Sequence, residues 1–257
     1  MALPSSGPLS LNDMHVEVNG TSGTTCSIND SDIRGLIDKA DGAQSSFNEF
    51  YGAANVSYIS ASGGSTTTSG NYKYHYFNSS GTFTINSAGV GGSQYTTVDY
   101  IVIAGGGSGA NAFPGGGAGG YLRGTFTGTT GARTITVGGG GTGGYSTQSN
   151  SGGSNSSISG VATATGGGKA AQGGIPSYGS ASAAGNGGSG GGASMWNTTG
   201  GNGTSGQGND AGDGRSSPGS NESYLCGSGG GGASLFYYQT GGAGGSGIVM
   251  FRYQYQN

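Results

Sequence analysis

Few residues in this 257-residue chain could do chemistry, and none has the partners that chemistry needs. Gly105, Gly107 and Ala110 follow an apolar run and fit G-x-G-x-x-G/A, where small residues let a dinucleotide pyrophosphate approach a helix N-terminus. The residues after Ala110 read Asn-Ala-Phe-Pro-Gly-Gly-Gly and cannot build that helix. No Asp or Glu stands between Asp99 and Asp210 to hold a ribose. Asp210, Asp213 and Glu222 could be paired carboxylates of a glycan hydrolase, yet they lie in NDAGDGRSSPGSNE, where Asp and Asn form turns. The DAGDG spacing also departs from a calcium loop.

The histidines, His15 and His75, both lie outside the glycine-rich body, and no G-x-S-x-G elbow sits at a strand-to-helix turn. His75, on a strand between tyrosines, is expected at the surface. Cys26 and Cys226 are far apart in sequence and match no metal spacing, so both are expected to be inert buried thiols, with a disulfide between them as the alternative. No catalytic residue, cofactor-binding residue or metal ligand is assigned. The chain is expected not to be an enzyme and to need no cofactor.

Binding is the better expectation. Tyr145, Tyr178, Trp196, Tyr224, Tyr237 and Tyr238 stand in loops between glycine runs, among Ser, Asn, Thr and Gly. Rigid aromatics with small polar neighbours are the material of recognition loops. The same aromatics could instead cap the ends of a glycine bundle. For receptor contact, Trp196 and Tyr178 are the first choices.

The elements that must position these residues follow from composition. Glycine supplies 64 residues, while only 31% of the chain is hydrophobic and 7% charged. Disorder would bring high net charge and few aromatics. Here the formal charge is -3, with 15 Tyr, 8 Phe and one Trp, which favours an ordered chain. Eight scattered Lys and Arg make no nucleic-acid patch. The N-terminal residues lack a signal-peptide pattern, and no apolar run reaches the roughly 18 residues of a membrane span. The expectation is synthesis in a cytoplasm, without membrane insertion.

Three zones are expected. Residues 1–55 hold three S-[apolar]-N-[acid] boxes, Ser10 with Asp13, Ser27 with Asp30 and Ser46 with Glu49, each predicting a short capped helix. Behind them lie Met14, Val16, Val18, Ile33, Leu36, Ile37, Phe50 and Tyr51. Helices this short need a larger body, so the zone reads as a docking module. Residues 56–98 predict a β-hairpin connector: Tyr72, Tyr74 and Tyr76 on one face, a turn at 78–81, and 82–85 running back.

Residues 99–257 are the glycine-rich β domain. From Gly105 to Gly247 there are 51 glycines, with strands expected at 121–126, 133–137 and 158–165 and a closing strand from Ile248. A polyproline-II-type helix has no internal hydrogen bonds. Side by side, such helices can satisfy one another's amides provided no Cβ holds the axes apart. The predicted fold is therefore mainly β, with a polyglycine-II helix bundle anchored between strands and short N-terminal helical repeats.

Two stretches carry a family resemblance. "SGPLSLNDMHVEV", "CSINDSDIRGLI" and "GAQSSFNEFYG" resemble an N-terminal repeat of tailed-bacteriophage tail and fibre proteins. "DYIVIAGGG", "PGGGAGGYLRG" and "GGAGGSGIVMFRY" are similar to glycine-rich domains of phage tail-fibre adhesins and, more distantly, of anaplastic-lymphoma-kinase-type receptors. The resemblance implies a virion protein that docks through its N-terminal repeats and presents a rigid glycine-rich domain for host recognition. Its expected partners are other tail proteins, further copies of itself, and a bacterial glycan or outer-membrane protein. A decoration, shell or filament subunit with no receptor role is the alternative.

Overall fold

The computed structural model describes residues 2–40, 43–110, 114–144, 150–172, 182–194, 199–214 and 241–255. Among these the protein is mainly β. Its strands are β1 (Ser60–Ser62), β2 (Ser65–Ser69), β3 (Tyr72–Phe77), β4 (Gly81–Ser87), β5 (Thr97–Ile103), β6 (Tyr121–Thr127), β7 (Gly131–Thr136), β8 (Ser156–Ile158), β9 (Ala162–Ala164) and β10 (Ile248–Gln254). They form two antiparallel five-stranded sheets, ordered β1-β4-β7-β8-β9 and β2-β3-β10-β5-β6.

The sheets face one another across a core built by strict alternation. Ala61, Phe83, Ile85, Ile135 and Ile158 come from one sheet, and Phe77, Val98, Val102, Val249, Phe251 and Tyr253 from the other. Phe83 stacks flat on Phe251 at 4.0 Å between ring centres, and Phe77 meets Phe251 edge-on at 5.9 Å.

The hairpin expected across 78–81 is not formed, because β3 and β4 belong to different sheets. The chain crosses between sheets there, placing Phe77 and Phe83 on opposite sides of one core. The hairpin lies one strand earlier: β2 pairs with β3 around Gly70 and Asn71. Gly70, at φ +55, takes the left-handed conformation that this two-residue turn requires. Residues 56–98 thus supply strands to both sheets rather than a connector. The single strand expected at 158–165 is two, β8 and β9, separated by a turn that the Val161 amide closes on the Ile158 carbonyl (3.0 Å).

The glycine runs continue the strands beyond one end of the sandwich. Along 105–110 successive amides donate to different segments: Gly105 to Ser154, Gly106 to Gly245, Gly107 to Gly117, Ser108 to Ser151, Gly109 to Gly242 and Ala110 to Pro114. The directions repeat every third residue, and each acceptor retreats by three as its donor advances by three. The carbonyls of Gly105 and Ser108 accept from Gly167 and Ala170, a thread that runs parallel to 105–110, unlike the three that accept from it. This close approach requires glycine. A Cβ at Gly167 would collide with the Gly117 carbonyl and come 2.6 Å from the Gly107 amide nitrogen.

Some amides of the glycine-rich body are taken by polar side chains rather than by backbone carbonyls. Gly166 donates to Asn155, Asn202 to Asn186 and Thr165 to Gln207, at 2.7–2.8 Å.

The N-terminal residues form their own small core of Leu3, Met14, Ile33 and Phe50. Helix α1 (Leu11–Glu17) has the full expected box: Asp13 N–H donates to Ser10 Oγ (3.2 Å) and Ser10 N–H to Asp13 Oδ2 (2.7 Å). The Ser10 hydroxyl, and after it the Ser10 amide, hold the Asp13 carboxyl below its ordinary pKa. Ser46 and Glu49 form the same box on a single 3-10 turn, Phe47–Phe50, and Glu49 also pairs with Lys39.

The second box starts no helix at Ser27. Ser27 Oγ accepts from Asn29 N–H (3.1 Å), two residues on, making a local turn. Helix α2 (Ser31–Gly35) begins after Asp30, and α3 (Ser93–Thr96) is a single turn before β5. Val16, one of the expected core positions, is 45% exposed.

Candidate functional site

The alternation that buries Phe251 and Val102 turns their strand neighbours to the opposite face of the β2-β3-β10-β5-β6 sheet. Pairing then lines these outer residues up in rows. Tyr74, Arg252, Asp99 and Thr125 are successive partners across β3, β10, β5 and β6. Tyr76, Met250, Ile101 and Arg123 form the next row, and Ile248, Ile103 and Tyr121 the one after. A shallow cleft of about 500 Å³ runs over this face, lined by Tyr74, Asp99, Tyr121, Arg123, Met250 and Arg252 among others.

Arg252 is the fixed centre of the face. Its Nε donates to Asp99 Oδ2 at 2.9 Å, a second guanidinium nitrogen bonds the same oxygen, and its plane lies 4.7 Å over the Tyr72 ring. The bond to Asp99 raises the already high Arg252 pKa, and a hydrogen bond with Tyr74 adds to it. Tyr74 and Tyr76 stack at 6.4 Å between ring centres, so the β3 side of the cleft is aromatic. Tyr121 is 43% and Tyr72 39% exposed. Chemically the face offers aromatic planes, a pre-oriented carboxylate–guanidinium pair and a second guanidinium, the groups of a recognition surface.

His75 is not at the surface. It is completely buried between the sheets, because β3 turns Tyr72, Tyr74 and Tyr76 outward and so sends His75 and Phe77 into the core. The Gly63 carbonyl can only accept, so His75 Nδ1–H donates to it (2.7 Å) and Nε2 accepts from the Tyr253 hydroxyl (3.1 Å). The Ala61 amide in turn donates to the Tyr253 oxygen (3.2 Å). Burial lowers the His75 pKa below its ordinary value, outweighing the Gly63 hydrogen bond that would raise it.

The amides of Gly105, Gly107 and Ala110 all donate to other segments of the protein, so the loop offers no phosphate cradle. Asp210 and Asp213 do not meet as a catalytic pair; each accepts a backbone amide, from Gly203 (2.7 Å) and Gly200 (2.8 Å). His15 Nε2 bonds Thr24 Oγ1 at 2.9 Å. Among the described residues no group of three or more His, Cys, Asp or Glu could hold a metal ion, and Cys26 is half-buried as a free thiol. Cys226, Glu222 and the loop aromatics Tyr145, Tyr178, Trp196, Tyr224, Tyr237 and Tyr238 lie outside the described residues.

Sequence reasoning noticed the Tyr72, Tyr74 and Tyr76 stripe but not its partners Asp99, Tyr121, Arg123 and Arg252. The alternation in YLRGT and VMFRY marks which of these face outward. Nothing local shows that β10 inserts between β3 and β5.

No protein-family model matches the chain, and no curated protein matches it. Among the described residues no helix is long and apolar enough to cross a membrane.

Proposed function

We propose that the protein is a structural component of a bacteriophage virion, a tail or tail-fibre protein that attaches through its N-terminal module and presents the glycine-rich domain for host recognition. The observation that carries this reading is the three-residue repeat of hydrogen-bond direction along 105–110. It supports assigning the threads as polyglycine-II helices, which exchange backbone bonds with neighbours on every side. A body held this way is stiff and anchored in the sandwich, as a presenting element must be. The separate N-terminal core fits a docking module. Other tail proteins and further copies of this chain are its partners in the particle, and it does no catalysis.

Two measurements test this. Slow amide exchange at Gly105–Ala110, matching that of β10, supports the thread assignment; exchange at the rate of free peptide overturns it. Fluorescently labelled protein should stain some strains of a bacterial panel and protect them against a phage whose particles react with antibodies to this chain. Assembly into filaments or shells without staining would favour the decoration or filament role instead.

A further inference from the structure

We propose that the outer face of the β2-β3-β10-β5-β6 sheet is a binding site for an acidic saccharide. The proposal rests on the host-recognition reading but places contact on the sandwich rather than on the loops. Charge is the first argument. The face sets two guanidiniums, Arg123 and Arg252, against one carboxylate, Asp99, on a chain whose net charge is -3. Asp99 is committed to Arg252, while Arg123 has no ion pair or hydrogen bond among the described residues. The uncompensated cation therefore sits at the β6 end of the cleft, ready to take a carboxylate or phosphate in paired hydrogen bonds.

Shape and chemistry narrow the occupant. Tyr74 and Tyr121 stand at opposite sides of the cleft, and both carry a ring on which the apolar face of a sugar can lie. Between them the Asp99–Arg252 pair offers an acceptor and donors, held still by the Tyr72 ring, for neutral hydroxyls. From β3 to β6 the site crosses three strand spacings, about 14 Å, the reach of a short oligosaccharide. That span is small for a protein partner, which would cover about 800 Å². Met250 and Ile101 form the apolar centre of the site.

Calorimetric titration of the full chain with trigalacturonate, with its methyl ester, with a sialic acid trimer and with inorganic phosphate tests the site. At least one acidic trimer should bind, and added salt should weaken it. The methyl ester should bind at least about tenfold less tightly than trigalacturonate wherever the acid binds, the size of one lost charge-assisted hydrogen bond. Phosphate alone should not bind measurably.

Arg123→Gln should cost the acid about tenfold and leave the ester unchanged, whereas Tyr121→Ala should weaken both. Both side chains are exposed on an edge strand, and unchanged melting of the variants certifies their fold. The proposal is overturned if neither acidic trimer binds, if Arg123→Gln leaves acid binding intact, or if the two variants abolish self-association instead. Cell staining that survives both substitutions would remove this site while sparing the host-recognition role.

Discussion

The sandwich and the glycine-rich body are two ways of making an interior from one chain. In the sandwich the backbone bonds run within each sheet, and side chains hold the sheets apart: Phe83 on Phe251, Phe77 against both, and His75 satisfied by Gly63 and Tyr253. In the glycine-rich body the bonds run outward in three directions, and the buried side chains are small, such as Ser108, Ala110, Ala170, Ala171 and Ala193. The first interior fails when atoms are removed. The second fails when an atom is added.

That contrast can be broken by substitution. Phe251→Ala takes a ring from the middle of an aromatic cluster and should cost about 4 kcal/mol, read as a lower urea midpoint with the slope unchanged. Gly167→Ala adds a single methyl where neighbouring backbone already stands, and should cost about 3 kcal/mol. Its loss should appear as faster amide exchange in the glycine-rich body before the sandwich opens. Equal loosening of both regions would show that they do not fold as distinguishable interiors.

A smaller effect comes from pH. The folded His75 pKa is lowered, chiefly by burial and further by Lys73, so its neutral form is favoured in the fold. That contribution is complete above the unfolded value of about 6.5 and is lost as pH falls from there through the folded value. Denaturation between pH 7.5 and 5 should show declining stability, and His75→Gln should flatten that part of the dependence. An unchanged slope in the variant would assign the decline to other groups.

The smallest effect sharpens the contrast most. Gly139 lies in the same glycine-rich body, but a Cβ there meets nothing within 4 Å. Gly139→Ala should shift stability by less than about 0.5 kcal/mol, so a large loss would mean that crowding is not what selects glycine.

Much of the fold was legible where the information is local. Alternation located β3 and β4, apolar runs β5 and β10, and strand-like stretches between glycine runs β6 and β7, and the boxes at Ser10 and Ser46 marked real caps. Pairing was not legible. Tyr72–Phe77 and Gly81–Ser87 read as a hairpin because turn residues separate them, yet sheet crossing is decided by which apolar face each strand must bury. His75 was misplaced for the same reason: beside three tyrosines it looks like the polar side of the strand, and only Phe83 of the facing sheet and Tyr253 of the neighbouring strand reveal otherwise. The candidate site was least legible, since Asp99 and Arg252 are 153 positions apart and meet only through strand order.

The insertion of β10 between β3 and β5 sets a schedule for biogenesis. While the ribosome is still reading the glycine codons, β3 and β5 each lack the partner that β10 later supplies, leaving two strand edges unpaired. Stray chains could occupy them, so clean maturation depends on that final ribbon arriving before a competitor does.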